Sequence, residues 1–227
     1  MTLDFGTSFS KWYYSKIDSN EQVEFEWVYS HYPCFAQPVL TACDSKTTMQ
    51  LPTLSLYDES LRQQKYWGKE AFDDYYKSGE SGKLMSRFKL YLDEVDRNDE
   101  NEQLIINAIS NYLRALNNKI KETMESLFPD TPKKYRYCFT VPTIWSDKMK
   151  RVMRDIVTCA GIVSKDDPPN KLLLVNEPEA AAIFYANDIK TDFFKTYFEK
   201  NPQRTTVRTL ICDAGGGTVD MATYEYF

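Results

Sequence analysis

The stretch Leu210-Ile-Cys-Asp-Ala-Gly-Gly-Gly-Thr-Val-Asp220 constrains the fold more than any other part of the chain. An apolar run ends at Asp213, three glycines and Thr218 follow, and beyond Asp220 the residues alternate from Met221 to Tyr226. That order predicts a strand, a tight glycine turn and a second strand. Glycine has no Cβ, so such a turn can take positive φ and bring backbone N–H groups close to an anion. Thr218 adds a hydroxyl donor. Asp213 and Asp220 can hold a hydrated Mg²⁺ beside phosphates. The turn is therefore a candidate nucleotide phosphate site.

The start of the chain repeats this grammar in Leu3-Asp-Phe-Gly-Thr-Ser-Phe-Ser10. A short strand ends near an aspartate, one glycine follows, then hydroxyl residues, and an aromatic-rich strand is expected over residues 11–15. Either motif alone also describes an ordinary turn. Two of them from one chain can clasp a polyphosphate from two sides. Other glycine-loop chemistries fail: a dinucleotide loop needs G-x-G-x-x-G running into a helix, whereas here Asp220 is followed by strand-like residues. No G-x-x-x-x-G-K-[ST] loop is present.

A third segment lies between the two, Leu172-Leu-Leu-Val-Asn-Glu-Pro-Glu-Ala-Ala-Ala-Ile-Phe-Tyr185. An apolar strand ends at Asn176, and Pro178 suits the first turn of a helix, where its missing N–H costs nothing. Glu177 then sits at a strand-to-helix corner. Its carboxylate either faces a metal or a water, or simply complements the helix dipole.

In this order the three motifs resemble the ATPase domain of the heat-shock-70 chaperones, within the actin and hexokinase superfamily. LDFGTSFS resembles the phosphate-1 motif, LICDAGGGTVDMATYEY phosphate-2, and NEPEAAAIFYA the first connecting helix. Val141-Pro-Thr-Ile-Trp-Ser-Asp-Lys148, with the helix running to Ala160-Gly161, is similar to the family's VP-x-x-[WF] segment. Pro52-Thr53 and Tyr66-Trp-Gly-Lys-Glu-Ala71 look most like the divergent twelfth branch of that family.

The resemblance implies ATP and Mg²⁺ as cofactors. Gly6, Thr7 and Ser8 would contact the β- and γ-phosphates from one hairpin, and Gly215, Gly216, Gly217 and Thr218 from the other. Asp4, Asp213, Glu177 and Asp220 would ring the Mg²⁺, largely through its waters, as suits an ion that sheds its hydration shell reluctantly. Asp213, Glu177 and a lysine near the γ-phosphate would form the catalytic set. Lys89, in Ser86-Arg-Phe-Lys-Leu, is the first candidate for that lysine and Lys83 its rival, while a solvated lysine is the ordinary alternative for both. Pro142 matches a proline linked in the family to signalling between nucleotide site and partner domain; it also ends the strand expected at 137–141. Thr7-Ser8 stands where the family often has two threonines. The likeness covers the first half of the ATPase domain and stops after phosphate-2. On that basis the second lobe is expected to be absent from the 227 residues, which alone would not turn over.

Composition agrees with a globular, cytoplasmic piece. A net charge of −5 and a pI near 5.1 argue against a nucleic-acid grip. No apolar stretch or leader indicates a membrane partner or secretion. Five scattered cysteines, Cys34, Cys43, Cys138, Cys159 and Cys212, lack C-x-x-C spacing and fit buried thiols better than disulfides or zinc. His31 is the single histidine and lies far from the motifs.

The expected fold is α/β: a ribonuclease-H-like, actin-like ATPase lobe with a mixed sheet, helices on both faces and an inserted, mostly helical subdomain. Residues 1–32 and 135–227 would form the core subdomain and 33–134 the insertion. Strands are expected near 3–5, 11–15, 23–29, 137–141 and 171–175. An acidic linker is expected over 96–102, and a helix over 103–128, where Ile105, Ile109, Tyr112, Leu113, Leu116, Ile120, Met124 and Leu127 recur at steps of three and four. Asp147 is read as the cap of the next helix and Gly161 as its stop. Residues 191–200 form a short aromatic helix.

Three readings of function are open on the sequence. The chain is the ATP-binding, ATP-hydrolysing lobe of a heat-shock-70-like chaperone, with nucleotide and, through the family, client proteins or cochaperones as partners. Alternatively it is a non-catalytic regulatory or interaction module, or a degenerate, truncated homologue. The third reading, a small-molecule kinase of the same superfamily, lacks an identifiable acceptor-activating aspartate.

Overall fold

The computed structural model describes residues 1–14, 16–17, 23–24, 51–79, 81–92, 100–130, 134–188 and 193–226. The chain opens with the antiparallel pair β1 (Thr2–Phe5) and β2 (Phe9–Tyr13), in which Asp4 lies opposite Lys11. A short ribbon, β3 (Lys16–Ile17) and β4 (Val23–Glu24), follows. Of the strand expected near 23–29, the part from 25 onward lies outside the described residues, as do His31, Cys34 and Cys43.

β5 (Leu51–Pro52) returns to pair with β2, and the chain then leaves the main sheet. β6 (Leu54–Tyr57), β7 (Gln64–Trp67) and β8 (Lys83–Ser86) form a small antiparallel sheet in the order β7-β6-β8. α1 (Gly68–Asp73) and α2 (Phe88–Leu92) flank it. The long α3 (Glu100–Leu127) carries the chain back to β9 (Tyr137–Val141). α4 (Asp147–Cys159) then crosses over to β10 (Leu172–Asn176), α5 (Glu177–Asp188) and α6 (Phe193–Lys200) follow, and β11 (Val207–Ala214) with β12 (Val219–Tyr226) closes the described chain.

The main sheet is mixed, in the order β10-β9-β1-β2-β5. β1 is its hinge of direction: it runs antiparallel to β2 and parallel to β9, which is parallel to β10. Leu3 and Phe5 alternate inward from β1, and Tyr137, Phe139 and Val141 from β9. They pack against the apolar stripe of α3 and against Met149, Val152, Met153, Ile156 and Val157 of α4. The stripe is read correctly from its spacing at Ile109, Tyr112, Leu113, Leu116, Ile120 and Met124, which are all buried. Leu127, at the last turn, is exposed.

Several local expectations need correction. α3 begins at Glu100, inside the segment read as an acidic linker; acidic residues suit a first helical turn, so polarity there did not mean loop. The cap of α4 is Ser146, whose Oγ accepts from Met149 N at 3.3 Å, and Asp147 occupies the first helical position. β2 begins two residues before the expected start, at Phe9. Cys159 and Cys212 are exposed free thiols and Cys138 is partly buried, so the expectation of buried thiols does not hold for these three. Gly161 takes φ +72° just past the end of α4, as a helix stop should.

Among the described residues no helix is long and apolar enough to cross a membrane. Among the described residues, the strands of the β11–β12 hairpin pair only with each other and with no strand of the main sheet. Its inner face rests on α5, with Tyr226 Oη donating to Ala182 O at 3.0 Å. Its outer face leaves Leu210, Val219 and Met221 60–65% exposed.

Candidate phosphate-binding site

The turn between β1 and β2 contains Gly6, Thr7 and Ser8. A Cβ on Gly6 would overlap Phe9 O, so the turn closes only with glycine there. Ser8 O accepts from Thr53 N at 2.9 Å, and Ser10 Oγ shares a 2.8 Å hydrogen bond with Thr53 Oγ1. Thr53 and Ser10 are buried, with Tyr112 Oη of α3 close enough to donate to Pro52 O at 3.3 Å. The first turn is thus pinned from behind by the chain that enters the small sheet. Sequence reading cited Thr53 only for its family likeness; nothing in its spacing marked it as a clamp.

The turn between β11 and β12 holds Gly215, Gly216, Gly217 and Thr218, closed by Gly215 N donating to Thr218 O at 2.9 Å. The two turns are in contact. A Cβ on Gly216 would overlap Ser8 Oγ, and one on Gly217 would come within 2.6 Å of Thr7 Cγ2 and 2.9 Å of Thr7 Oγ1. None of these three glycines has positive φ. The glycines are needed for close approach between hairpins, not for backbone conformation, which corrects the reason given by sequence. Thr7 is buried in this contact, while Ser8 and the three glycines remain exposed on the open side. Backbone N–H groups and hydroxyls from two turns far apart in sequence therefore lie side by side.

Charged groups converge beneath the two turns. Asp4, on β1, accepts from Thr140 Oγ1 of β9 at 3.0 Å. Asp220 is 4% exposed, and its Oδ1 accepts from Thr143 N, just beyond Pro142, at 2.9 Å. That bond ties the second hairpin to the end of β9. Asp213 lies directly opposite Asp220 in the hairpin register and is exposed. Glu177 stands where β10 turns into α5, and its Oε1 forms an ion pair with Lys89 Nζ of α2. Lys89 is 5% exposed, whereas Lys83 sits exposed on β8.

Burial pushes the Glu177 carboxyl above the usual carboxylate range; the Lys89 ammonium opposes the shift, and the Asp4 and Asp220 carboxylates add to it. A buried carboxylate facing two others across one lysine is an environment that a further cation would relieve. The donors are all oxygen, the chemistry that suits Mg²⁺. Among the described residues no three acidic, histidine or cysteine side chains stand close enough to chelate an ion directly. An ion here fits only if its own waters span part of the distance.

No protein-family model matches the chain. Among curated proteins, the heat shock 70 kDa protein of Emericella nidulans is 31% identical over 129 residues, covering 57% of this chain and 16% of the relative. Human heat shock 70 kDa protein 12B is 31% identical over 81 residues, 35% of this chain and 12% of the relative. Heat shock 70-related protein 4 of Leishmania major is 38% identical over 82 residues, 36% of this chain and 28% of the relative. The matches thus span well under a third of those relatives' length. Among solved structures, MreB5 of Spiroplasma citri bound to ADP superposes with a TM-score of 0.52 at 17% identity, covering 98% of this chain and 47% of that one. The same protein bound to AMPPNP gives 0.51 at 16% identity, with the same coverage. By sequence the chain is similar to heat-shock-70 proteins over part of its length; by fold it resembles about half of the MreB5 structure.

Proposed function

We propose that this lobe binds the phosphates of ATP between its two glycine hairpins and forms one wall of a cleft that hydrolyses ATP in a heat-shock-70-like chaperone. The observation that supports the reading is the close approach of Gly216 to Ser8 and of Gly217 to Thr7, two glycine turns far apart in sequence. In this reading residues 1–32 and 135–227 make the core subdomain and 33–134 the insertion that delivers Lys89. A cytoplasmic location and client or cochaperone partners follow from the family likeness.

Gly6, Thr7 and Ser8 would hold the β- and γ-phosphates from one side, and Gly215, Gly216, Gly217 and Thr218 from the other. Their N–H and hydroxyl donors would meet the charge that develops on the transferred phosphoryl. Phosphoryl transfer asks mainly for positioning and charge stabilisation, which preorganised donors supply. Asp4, Asp213, Glu177 and Asp220 would hold a hydrated Mg²⁺, which when bound supplies positive charge at the phosphate oxygens. Glu177 and Asp213 would orient the water that attacks the γ-phosphate in line, and Lys89 would leave Glu177 to face the phosphate.

The test is titration of ATP with and without Mg²⁺ into the 227-residue chain and its Gly216→Val variant. Saturable, Mg²⁺-dependent binding that the variant loses is the expected result. Equal binding by both proteins, or binding by neither, overturns the assignment. One observation favours a second reading, a non-catalytic interaction module: the outer face of β11–β12 exposes Leu210, Val219 and Met221 together.

A further inference from the structure

A second cleft lies away from the glycine hairpins, between α3, the small three-stranded sheet and the last turn of α4. It encloses about 320 Å³, the small end of the range for organic ligands. Its walls divide by chemistry. Leu61, Met85, Leu104 and Ala108 supply an apolar side. Arg62, Asn107, Asn111, Arg114 and Tyr57 supply the polar one.

Among the described residues no carboxylate lines the cavity, although the chain as a whole carries 33 acidic residues against 28 basic ones. Neither arginine forms an ion pair among the described residues. Arg114 is held in place by neutral acceptors, Nη1 donating to Asn111 Oδ1 at 2.9 Å and Nη2 to Cys159 O at 2.6 Å. The nearby carboxylate of Asp58 is taken up by its own turn: it accepts from Ser60 Oγ and from the backbone N–H groups of Arg62 and Gln63. Those bonds fix the backbone of Arg62, and its guanidinium has no partner among the described residues.

The remaining polar groups also offer donors. Asn111 Nδ2 donates to Tyr57 Oη at 3.1 Å, so the phenol has its own O–H left to give. Asn107 accepts from Gln103 Nε2 at 3.0 Å, which leaves its own amide N–H groups unclaimed. Two guanidiniums, a phenol and an amide, all with donors to spare beside an apolar wall, describe a receptor for one kind of ligand. We propose that this cavity binds a small carboxylate with a short apolar stem, its head gripped by Arg62 and Arg114 and its stem against Leu61, Met85 and Leu104. Guanidinium and carboxylate match in planar, two-pronged hydrogen bonding.

The test uses hexanoate as probe and hexanamide as its uncharged counterpart, titrated into the 227-residue chain by calorimetry. Saturable hexanoate binding is expected with a dissociation constant of about 1 mM or tighter, the scale for so small a ligand, and at least about tenfold weaker binding of hexanamide. Arg62→Gln should weaken hexanoate at least about fivefold; Arg62 is exposed and makes no side-chain bond among the described residues, so folding is not at stake. Arg114→Gln should do the same, with a thermal melt to separate folding loss from binding loss. ATP at saturating concentration should leave hexanoate binding unchanged. The proposal is overturned if hexanoate and hexanamide behave alike, if Arg62→Gln binds as the parent does, or if ATP displaces hexanoate, which would place the anion at the glycine hairpins.

Discussion

Lys89 and Glu177 form a nearly buried ion pair across 88 residues of chain. Lys89 comes from the short helix that follows the small sheet, and Glu177 from the corner where β10 becomes α5. Neither side chain has much water to fall back on. The pair therefore ties α2 to the corner where the main sheet passes into α5.

Breaking the pair on one side should cost more than removing it whole. Lys89→Met leaves a carboxylate in a site with little water, and is expected to lose about 3 kcal/mol of stability in urea unfolding. The double variant Lys89→Met/Glu177→Leu should recover most of that loss. Simple additivity of the two single variants would show that the charges do not interact.

The glycine hairpins should tolerate no side chain where they meet. Gly217→Ala drives a methyl group against Thr7, and Gly216→Ala against Ser8. Each should weaken ATP binding at least about tenfold, since one turn must move to admit the methyl group and its N–H groups move with it. Gly215→Ala meets only its own hairpin carbonyl, at 3.3 Å, and should be the mildest. Equal affinities across the three variants and the parent would mean that the contact has no part in binding.

Thr53 should behave as a clamp. Thr53→Val keeps shape and the backbone bond to Ser8 O but removes the hydroxyl shared with Ser10. Leaving the buried Ser10 hydroxyl short of its partner costs about 1–2 kcal/mol, and ATP affinity should fall a few-fold. Thr53→Ser should restore both. A valine variant with parental affinity and melting temperature would remove Thr53 from the site.

Alkaline stability should decline between pH 10 and 12. Burial raises the Tyr112 phenol to about 12, with Ser10 and Thr53 opposing the shift, and raises Tyr137 likewise to about 12, with Tyr135 and Asp167 adding to it. In that window the unfolded chain has lost both protons while the native chain keeps them. The stability these phenols contribute is full below pH 10 and is lost as pH rises through 12, by about 1.4 kcal/mol per pH unit for each. Tyr112→Phe should flatten part of the slope in unfolding measurements across pH 9–12. Parallel curves for variant and parent would refute it.

Sequence carried the local parts of this site well and the distant ones poorly. Asp4, Gly6, Gly216 and Glu177 stand out because strand, turn and corner chemistry is written within a few residues of each. The lysine was harder: Lys89 and Lys83 look alike as text, and only tertiary packing buries one against Glu177 and leaves the other in solvent. Thr53, Thr140 and Thr143 were invisible as partners of Ser8, Asp4 and Asp220, because hydrogen bonds spanning tens of residues leave no periodic trace. The stripe of α3 was legible because a helix repeats its buried face, but its start was not, since the same acidic residues serve a linker or a first turn.

The parallel pairing of β1 with β9 sets a schedule for synthesis. Thr2 is the register partner of Cys138, and Met1 O accepts from Cys138 N at 2.8 Å. At a ribosomal pace of about 5–20 residues per second, the first strand must wait roughly 7–27 s for its neighbour to be made. Until then β1 has a hydrogen-bonded neighbour on its β2 side alone, and α3, made just before β9, is the first element that can cover Phe5, through Tyr112. Assembly from such distant pairs is slow even once the chain is complete. The newborn β1–β2 hairpin thus spends that interval with one edge of β1 unpaired.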